Sequence, residues 1–372
     1  MHILVLPSWY PSEDDPIRGA FFAEQAQALA RYGHKVSVIP LHADARGKTR
    51  VERRGGGNFT EFIVHYGKLR FHLTFVRSLG ALRRIFREYF KNDRPDIIHV
   101  HSFQVIRYAR ALKALYGIPY VVTEHVSWFE RGMISENRLR SISADYAGAA
   151  AVIAVGAGLK EQIQPLTPSE VMVVPNLVSQ RFFEGELHAP AGETFDFISV
   201  GNLDKNKGMD VVITAFSYAA AVCPRIRLTI CGKGTEYEAL RRQAEELGIS
   251  DKVTFTGQIS REEVAGRMRA SQAFVLASRV ETFGVVFVEA MACGLPIAMT
   301  ETGAWRELIT PRTGLVAPVD DAHALSGAMV RLAEHSEDYD SREIREYCRE
   351  KFSEESVCRR LTEIYERVLE RD

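Results

Sequence analysis

The sequence predicts two α/β domains in succession, each a parallel sheet covered by helices on both faces. Three observations carry this. The chain has 372 residues, more than one ordinary core accommodates and enough for about two domains. Short runs rich in Val and Ile, apolar on both faces, recur along its whole length, which is the pattern of parallel strands buried on each side. Amphipathic stretches of helical period separate these runs, and two such series follow one another.

The first series of strands is Ile3–Leu6, Lys35–Ile39, Asp96–Val100, Tyr120–Thr123, Val152–Val155 and Val171–Val174. The second is Phe195–Val200, Arg227–Cys231, Val253–Thr256, Ala273–Leu276, Pro296–Met299 and Leu315–Ala317. Phe22, Ala26 and Leu29 form one helical stripe, which Gly33 stops; Val212, Phe216 and Ala219 form another, ended by Pro224. Between Pro175 and Glu193 the periodicity lapses and Pro and Gly gather. The expected domains are therefore 1–185 and 186–352. A last helix follows Ser353, a plausible N-cap, with Val357, Leu361, Ile364 and Val368 on one face. Gly55–Gly57 reads as part of a polar loop.

Composition narrows the function classes. Lys and Arg total 47 against 48 Asp and Glu, so net charge gives no reason to expect a nucleic-acid partner. The halves differ: residues 1–190 hold 24 basic and 18 acidic residues, the remainder 23 and 30. The basic half suits an anionic surface or substrate. Cys223, Cys231, Cys293, Cys348 and Cys358 are odd in number and show no CxxC spacing, which fits free thiols in a reducing compartment. MHILVLPSWYP lacks the features of a signal peptide. The uncharged stretch Tyr146–Leu159 is too short to span a bilayer. The expected location is cytoplasmic, at most on a membrane face.

Parallel sheets bind ligands at the carboxyl ends of their strands, so the residues after each run are the candidates. Gly19 precedes the first helix, where backbone can approach a ligand closely and free N–H groups meet an anion; an ordinary loop glycine reads the same way. His99 and His101 end one strand and His125 the next. The HxH pair has no carboxylate or cysteine cluster nearby, so polar residues lining a cleft are favoured over a metal site; His125 is the better substrate contact. Asp14-Asp15 is a solvated turn and not a DxD motif.

In the second series, Lys207-Gly208 stands just before a helix, a full charge beside aligned N–H dipoles. Lys205 and Lys207 as solvated turn residues are the plain alternative. Cys231-Gly-Lys-Gly-Thr235 opens another strand-to-helix turn. The most informative segment is ASRVETFGVVFVEAMACG, 277–294, in which Glu281 and Glu289 flank a helix start at Phe283-Gly284-Val285. Carboxylates accept paired hydrogen bonds from vicinal hydroxyls while helix N–H groups hold phosphate, a combination suited to a phosphorylated sugar. A surface turn followed by a partly buried glutamate also has this form.

The spacing Glu281-x7-Glu289 within SRVETFGVVFVEAMACGLPI resembles the signature of glycosyltransferase family 4, retaining enzymes of GT-B fold. RGAFFAEQAQAL, PDIIHVHSF, VVTEH, VIAVG, VVPN, VGNLDKNKGMD, ICGKG, VTFTGQIS and TGAWRELI follow in the family's order. The resemblance covers most of the chain and is close to the bacterial group 1 enzymes of glycan biosynthesis. It implies two Rossmann-like doubly wound domains facing across a cleft, acceptor on the first and nucleotide sugar on the second, with the last helix returning to the first.

By matching position, it implies that Glu281 binds donor-sugar hydroxyls, that Phe283, Gly284 and Val285 offer backbone contacts, and that Glu289 holds the ribose diol. Lys207 would neutralise the diphosphate, with Asn202 and Gly232 also in the donor site. Gly257 and Ile259 would lie near the base, Gly19 would close on the diphosphate, and His125 would sit near the transferring sugar. No metal and no cofactor is required; the nucleoside diphosphate sugar is itself a substrate, UDP-sugar favoured over GDP-sugar. Asn202 stands where the family commonly has Arg, Ala277 replaces a frequent Pro, Leu177-Val178-Ser179 a usual Gly-Val-Asp, and Trp305-Arg306 a common x-Pro.

The expected reaction moves a glycosyl unit to an acceptor hydroxyl. A sugar-nucleotide epimerase or hydrolase of the same fold, or a non-catalytic nucleotide-sugar scaffold, is the alternative. Separately, Lys68–Lys91 carries seven Lys or Arg against Glu88 alone, with Phe71, Phe75, Phe86, Tyr89 and Phe90 interleaved, and Arg46–Arg54 adds positive charge. This suits contact with anionic lipid; a helix with its aromatic side in the core and arginines in water is the other reading.

Overall fold

A computed structural model describes residues 1–12, 15, 18–44, 47–67, 71–187 and 192–371. Asp14, Arg46, Lys68, Arg70 and residues 188–191 of the expected joint lie outside the described residues. The elements run β1 (His2–Pro7), α1 (Ala20–Arg31), β2 (Lys35–Val38), β3 (Leu41–Asp44), β4 (Arg50–Gly56), β5 (Phe59–Gly67), α2 (Phe71–Tyr89), β6 (Ile97–His101), α3 (Ile106–Tyr116), β7 (Tyr120–Glu124), α4 (Glu136–Ala147), β8 (Ala151–Ala154), α5 (Ala157–Ile163) and β9 (Met172–Val173). There follow β10 (Phe195–Val200), α6 (Met209–Val222), β11 (Ile226–Cys231), α7 (Tyr237–Glu246), β12 (Val253–Gly257), α8 (Arg261–Ala270), β13 (Ala273–Leu276), α9 (Val285–Ala292), β14 (Ile297–Thr300), α10 (Trp305–Leu308), β15 (Gly314–Ala317), α11 (Ala322–Glu334), α12 (Ser341–Phe352) and α13 (Glu354–Leu369).

Contacts divide the chain into two units. One is Met1–Val155 with Leu159–Leu177 and Glu354–Asp372; the other is Gly156–Gly158 with Val178–Ser353. The division at Leu177/Val178 precedes the expected joint at 185/186. The intervening residues are bound into the second unit: Val178 donates its N–H to the Phe352 carbonyl at 2.8 Å, the Cys293 thiol reaches the Phe182 carbonyl at 3.5 Å, and Arg349 lies 5.2 Å over the Phe183 ring.

In the first unit the strands are ordered β3-β5-β2-β1-β6-β7-β8-β9, with β4 antiparallel on β5. The sequence predicts only parallel strands and leaves out β3, β4 and β5. The reason is local: β4, RVERRGG, has no apolar face and lies largely exposed, while β5 alternates and reads as weaker than the fully buried runs. Gly55 and Gly56 belong to β4, leaving Gly57 in the turn. One side of the sheet carries a core in which Ile3, Val5, Ala26 and Leu29 meet Val357, Leu361, Ile364, Tyr365 and Val368 of α13. The 4-3-4 spacing of Val357, Leu361, Ile364 and Val368 is what places them on one face. After α1, Gly33 takes φ 108° and the His34 N–H closes onto the Leu29 carbonyl at 3.1 Å, a left-handed stop that favours glycine.

The second unit is built on six parallel strands ordered β12-β11-β10-β13-β14-β15. The order turns outward in both directions from β10 and β13, whose carboxyl ends form the switch point where such sheets bind ligands. Val212, Phe216 and Ala219 of α6 are buried as the stripe requires. The five cysteines are all buried and free.

Candidate active site

In the second unit the turns after β10, β11 and β12 are laced together by their backbones. Gly201 N–H binds the Cys231 carbonyl at 3.1 Å, Leu203 N–H the Lys233 carbonyl at 2.9 Å, and Gly232 N–H the Gly257 carbonyl at 2.9 Å. This lacing needs glycine: a Cβ on Gly232 would stand 1.9 Å from the Gly201 carbonyl oxygen. Gly232, expected in the donor site, thus has a packing requirement of its own.

The β10 turn then delivers Lys207. Asp204 accepts the Asn206 N–H at 2.9 Å and the Lys207 N–H at 3.3 Å, closing a short 3₁₀ turn ahead of α6. Gly208 follows at φ 61°, and a Cβ there would lie 1.9 Å from the Ala277 carbonyl oxygen, so no other residue fits. Lys207 Nζ donates to Glu281 Oε2 at 2.5 Å, and Ser278 Oγ stands 3.5 Å from the same oxygen. The two residues with the most specific sequence roles are therefore brought together at the carboxyl ends of β10 and β13.

Arg279 makes that meeting rigid, and the sequence reading passed over it. Its guanidinium binds Asp210 at 2.7 and 3.0 Å, Asp320 at 2.7 Å and the Lys205 carbonyl. Its own N–H reaches the Asn206 carbonyl at 2.7 Å. Burial pushes the Asp210 carboxyl up, but Arg279 outweighs this and holds it below the usual carboxylate range. An Arg two residues before Glu281, with Asp210 opening a helix, was the available signal.

Gly284 caps α9 at φ 82°, with no side-chain cap. A Cβ there would meet Phe287 at 2.5 Å and Glu281 Cγ at 3.0 Å. The uncovered helix start presents backbone N–H groups, and its dipole favours an anion. Phe283 is buried, against Phe352, so its backbone is what it can offer a ligand; Val285 is half-buried. Glu289 lies further along α9, buried, and accepts from Arg261 Nη2 at 2.6 Å. Arg261 opens α8, held there by a reciprocal Ser260–Glu263 capping box, and lies 5.3 Å over the Phe182 ring. The sequence reading did not include Arg261. Ile259 is half-buried beside this cap, and Gly257 ends β12 at φ 69°. Asn202 and Lys205 are exposed.

In the first unit, Gly19 caps α1 at φ 74°, and a Cβ would lie 2.7 Å from the Trp9 carbonyl. His125 follows β7; its Nε2 lies 3.0 Å from His101 Nδ1, and Phe21 and Phe22 pack on its ring at 5.4 and 4.8 Å between centroids. The expectation that His99 and His101 line a cleft is corrected: both are buried within the sheet. His99 is engaged by Thr123 at 2.7 Å and by Tyr365 of α13 at 2.6 Å. Burial lowers His99 and His125 to about 3. It also takes His101 well below its ordinary value, helped by the two neighbouring imidazoles. The group is neutral at pH 7, and His125 is available as a hydrogen-bonding group and not as a cation.

Ser102, next after His101, holds φ 74° and ψ 147°, a conformation that costs a non-glycine residue on the order of 1–3 kcal/mol. Glu124, buried beneath it, accepts from the N–H groups of Phe103, His125 and Val126 and from the Tyr146 hydroxyl.

Comparison with known proteins meets this geometry from outside. The description "Glycosyltransferase Family 4" matches residues 19–181 and "Glycosyl transferases group 1" matches residues 183–351. The chain belongs to these glycosyltransferases. The glycogen synthase of Mycobacterium tuberculosis is 28% identical over 246 residues, 63% of this chain and 59% of that protein, so this chain spans under two thirds of that relative's length. The GDP-mannose:cellobiosyl-diphosphopolyprenol alpha-mannosyltransferase of Xanthomonas oryzae pv. oryzae is 28% identical over 261 residues, covering 66% of this chain and 67% of that protein. Anabaena HepE, solved in complex with UDP, superposes with TM-score 0.77 at 16% identity over 99% of this chain and all of that one. The glycosyltransferase chain thus has the GT-B fold, with its β4–β5 hairpin the one antiparallel pairing among the described strands.

Proposed function

We propose that this glycosyltransferase moves a sugar from a nucleoside diphosphate sugar to an acceptor hydroxyl with retention of anomeric configuration. The observation that carries the reading is the Lys207–Glu281 pair, 2.5 Å apart and seated beside the glycine-opened starts of α6 and α9. A cation and two helix N-termini suit a diphosphate; Glu281 and Glu289 suit hydroxyls. With donor bound, the diphosphate takes over Lys207 and frees Glu281 to accept from the sugar. Glu289 takes the ribose diol, with Arg261 beside it.

As the bond between the anomeric carbon and the phosphate oxygen breaks, the electron pair leaves with the nucleoside diphosphate. The acceptor oxygen bonds to the anomeric carbon from the same face, and its proton passes to the departing phosphate oxygen. Charge accumulates on that phosphate, where Lys207 and the helix N–H groups are fixed; donors of this kind supply roughly 10²–10³ each in rate. On the first unit, Gly19 and His125 take the roles the family resemblance gives them, Gly19 toward the diphosphate and neutral His125 toward the transferring sugar. No metal ion enters this scheme. UDP-sugar is the favoured donor; several relatives are named for GDP-mannose, so both belong in the test.

The test is a thermal-shift panel of UDP, GDP and their common sugars, followed by mass spectrometry of donor and candidate acceptors. A stabilising nucleotide and an acceptor gaining one sugar are expected. Donor consumed without any acceptor would overturn transfer in favour of epimerisation or hydrolysis; donor bound with no product from any acceptor would favour a scaffold.

The acceptor we favour is a glycan, glycolipid or small molecule, and contact with an anionic membrane on its cytoplasmic face would suit a lipid-linked one. Phe86 of α2 and Phe90 just after it are buried, Phe75 is half-buried and Tyr89 is exposed, so the interleaved aromatics divide between the core and the surface. The outer stripe instead carries Leu73 and Val76, 57% and 64% exposed, followed by exposed Arg83, Arg84 and Arg87. Glu88 offsets one charge through Arg84 at 2.9 Å. Among the described residues no helix is long and apolar enough to cross a membrane. Flotation with anionic vesicles, reversed by salt and lost in L73S/V76S, supports contact; no flotation removes it.

A further inference from the structure

Glu124 is a buried carboxylate with no ion-pair partner among the described residues, and it sits beside His125. Its two oxygens are fully used. Oε2 accepts the Phe103 N–H at 2.9 Å and the Tyr146 hydroxyl at 3.0 Å. Oε1 accepts the N–H groups of His125 at 2.8 Å and Val126 at 3.2 Å. A carboxylate has about four acceptor sites and no donor, so it matches four converging donors. Gln has the same length but would turn an NH₂ toward two of them.

These four bonds join three elements: the loop after β6, the loop after β7, and α4. The β6 loop contains Ser102, in its left-handed conformation, whose N–H is held by the Thr123 carbonyl at 2.8 Å. Ser102 is buried and its Oγ has no partner. The β7 loop begins with His125, whose ring is fixed from its far side by His101. Burial pushes the Glu124 carboxyl up, its four donors oppose that, and the same four bonds tie the loops after β6 and β7 to each other and to α4.

We propose that Glu124 is a positioning residue for sugar transfer: it locks the carboxyl ends of β6 and β7 so that His125 meets the substrate hydroxyls in one fixed arrangement. This rests on the transferase reading above, and the test separates the two.

The test compares wild type with E124Q and Y146F by amide hydrogen exchange and by steady-state transfer. E124Q is expected to speed exchange at Phe103 or at His125 and Val126 by about tenfold or more, since one pair of N–H groups loses its acceptor. It should lower kcat about tenfold or more with nucleotide affinity unchanged, because the donor contacts on the second unit are untouched. Y146F keeps the carboxylate and removes one donor, so both effects should shrink to about twofold; it carries the test should E124Q fail to fold. Unchanged exchange in these variants overturns the lock. Faster exchange with undiminished kcat overturns the positioning role. If wild type transfers no sugar, the transferase reading falls, while the exchange measurement still decides whether Glu124 holds the loops.

Discussion

Acidification should destabilise the first unit well before its carboxylates titrate, and the buried histidines set the size of the effect. His99 is lowered to about 3 and His101 also falls well below its ordinary value, both because burial disfavours the imidazolium. In the unfolded chain each takes up a proton near pH 6.5. Between those limits the unfolded state binds more protons, so stability falls as pH falls and is flat above about pH 7. From pH 6.5 to 5.5 each histidine contributes about 1 kcal/mol of loss, and the pair about 2 kcal/mol. His125, lowered to about 3, and His2 and His34, also lowered by burial, add to that loss in the same direction. The assay is urea unfolding followed by tryptophan fluorescence in a Trp305→Phe background, which leaves Trp9 and Trp128, both on the first unit. H99F should be less stable at pH 7, having lost its bonds to Thr123 and Tyr365, yet should lose about 1 kcal/mol less than wild type between pH 6.5 and 5.5. A wild-type stability that does not change over this window, or an H99F slope equal to wild type, would refute the reasoning.

Other outcomes follow from packing. L361A should destabilise the first unit by about 2–5 kcal/mol, because Leu361 is buried where α13 meets β1 and α1; urea unfolding reads this. G208A should abolish nucleotide binding or soluble expression, since its Cβ would lie 1.9 Å from the Ala277 carbonyl oxygen; an ordinary thermal shift with nucleotide would contradict that. R279M should leave the fold intact and weaken nucleotide affinity about tenfold by loosening the Lys207–Glu281 arrangement, read by calorimetry.

How much of this was legible in the sequence depended on burial. Runs such as Phe195–Val200 and Ala273–Leu276 are apolar on both faces, and they are strands with those same bounds. β4 escaped because a strand of RVERRGG has nothing to bury; its partner defines it. Glycines such as Gly208 and Gly284 were legible as places where backbone comes close, although the atom each would strike lies far along the chain. Lys207 and Glu281 were each legible, and so was their shared family motif, but the 2.5 Å contact between them depends on the Gly208–Ala277 approach. Arg279, Arg261 and Glu124 were missed for one reason: each acts through partners brought near by the fold, as with Glu124 and Phe103, 21 residues apart in sequence. Histidines at strand ends suggested a cleft wall because sequence position says nothing about how far a sheet edge is covered.

The central claim is that Lys207 and Glu281 serve the donor, one at the diphosphate and one at the sugar. Transfer rates and nucleotide affinities for wild type, K207A and E281Q test it most directly. The account predicts weaker UDP or GDP binding in K207A, near-normal nucleotide binding in E281Q, and kcat reduced by roughly 10²–10³ in both. Folded variants that bind nucleotide and turn over as wild type does would contradict it.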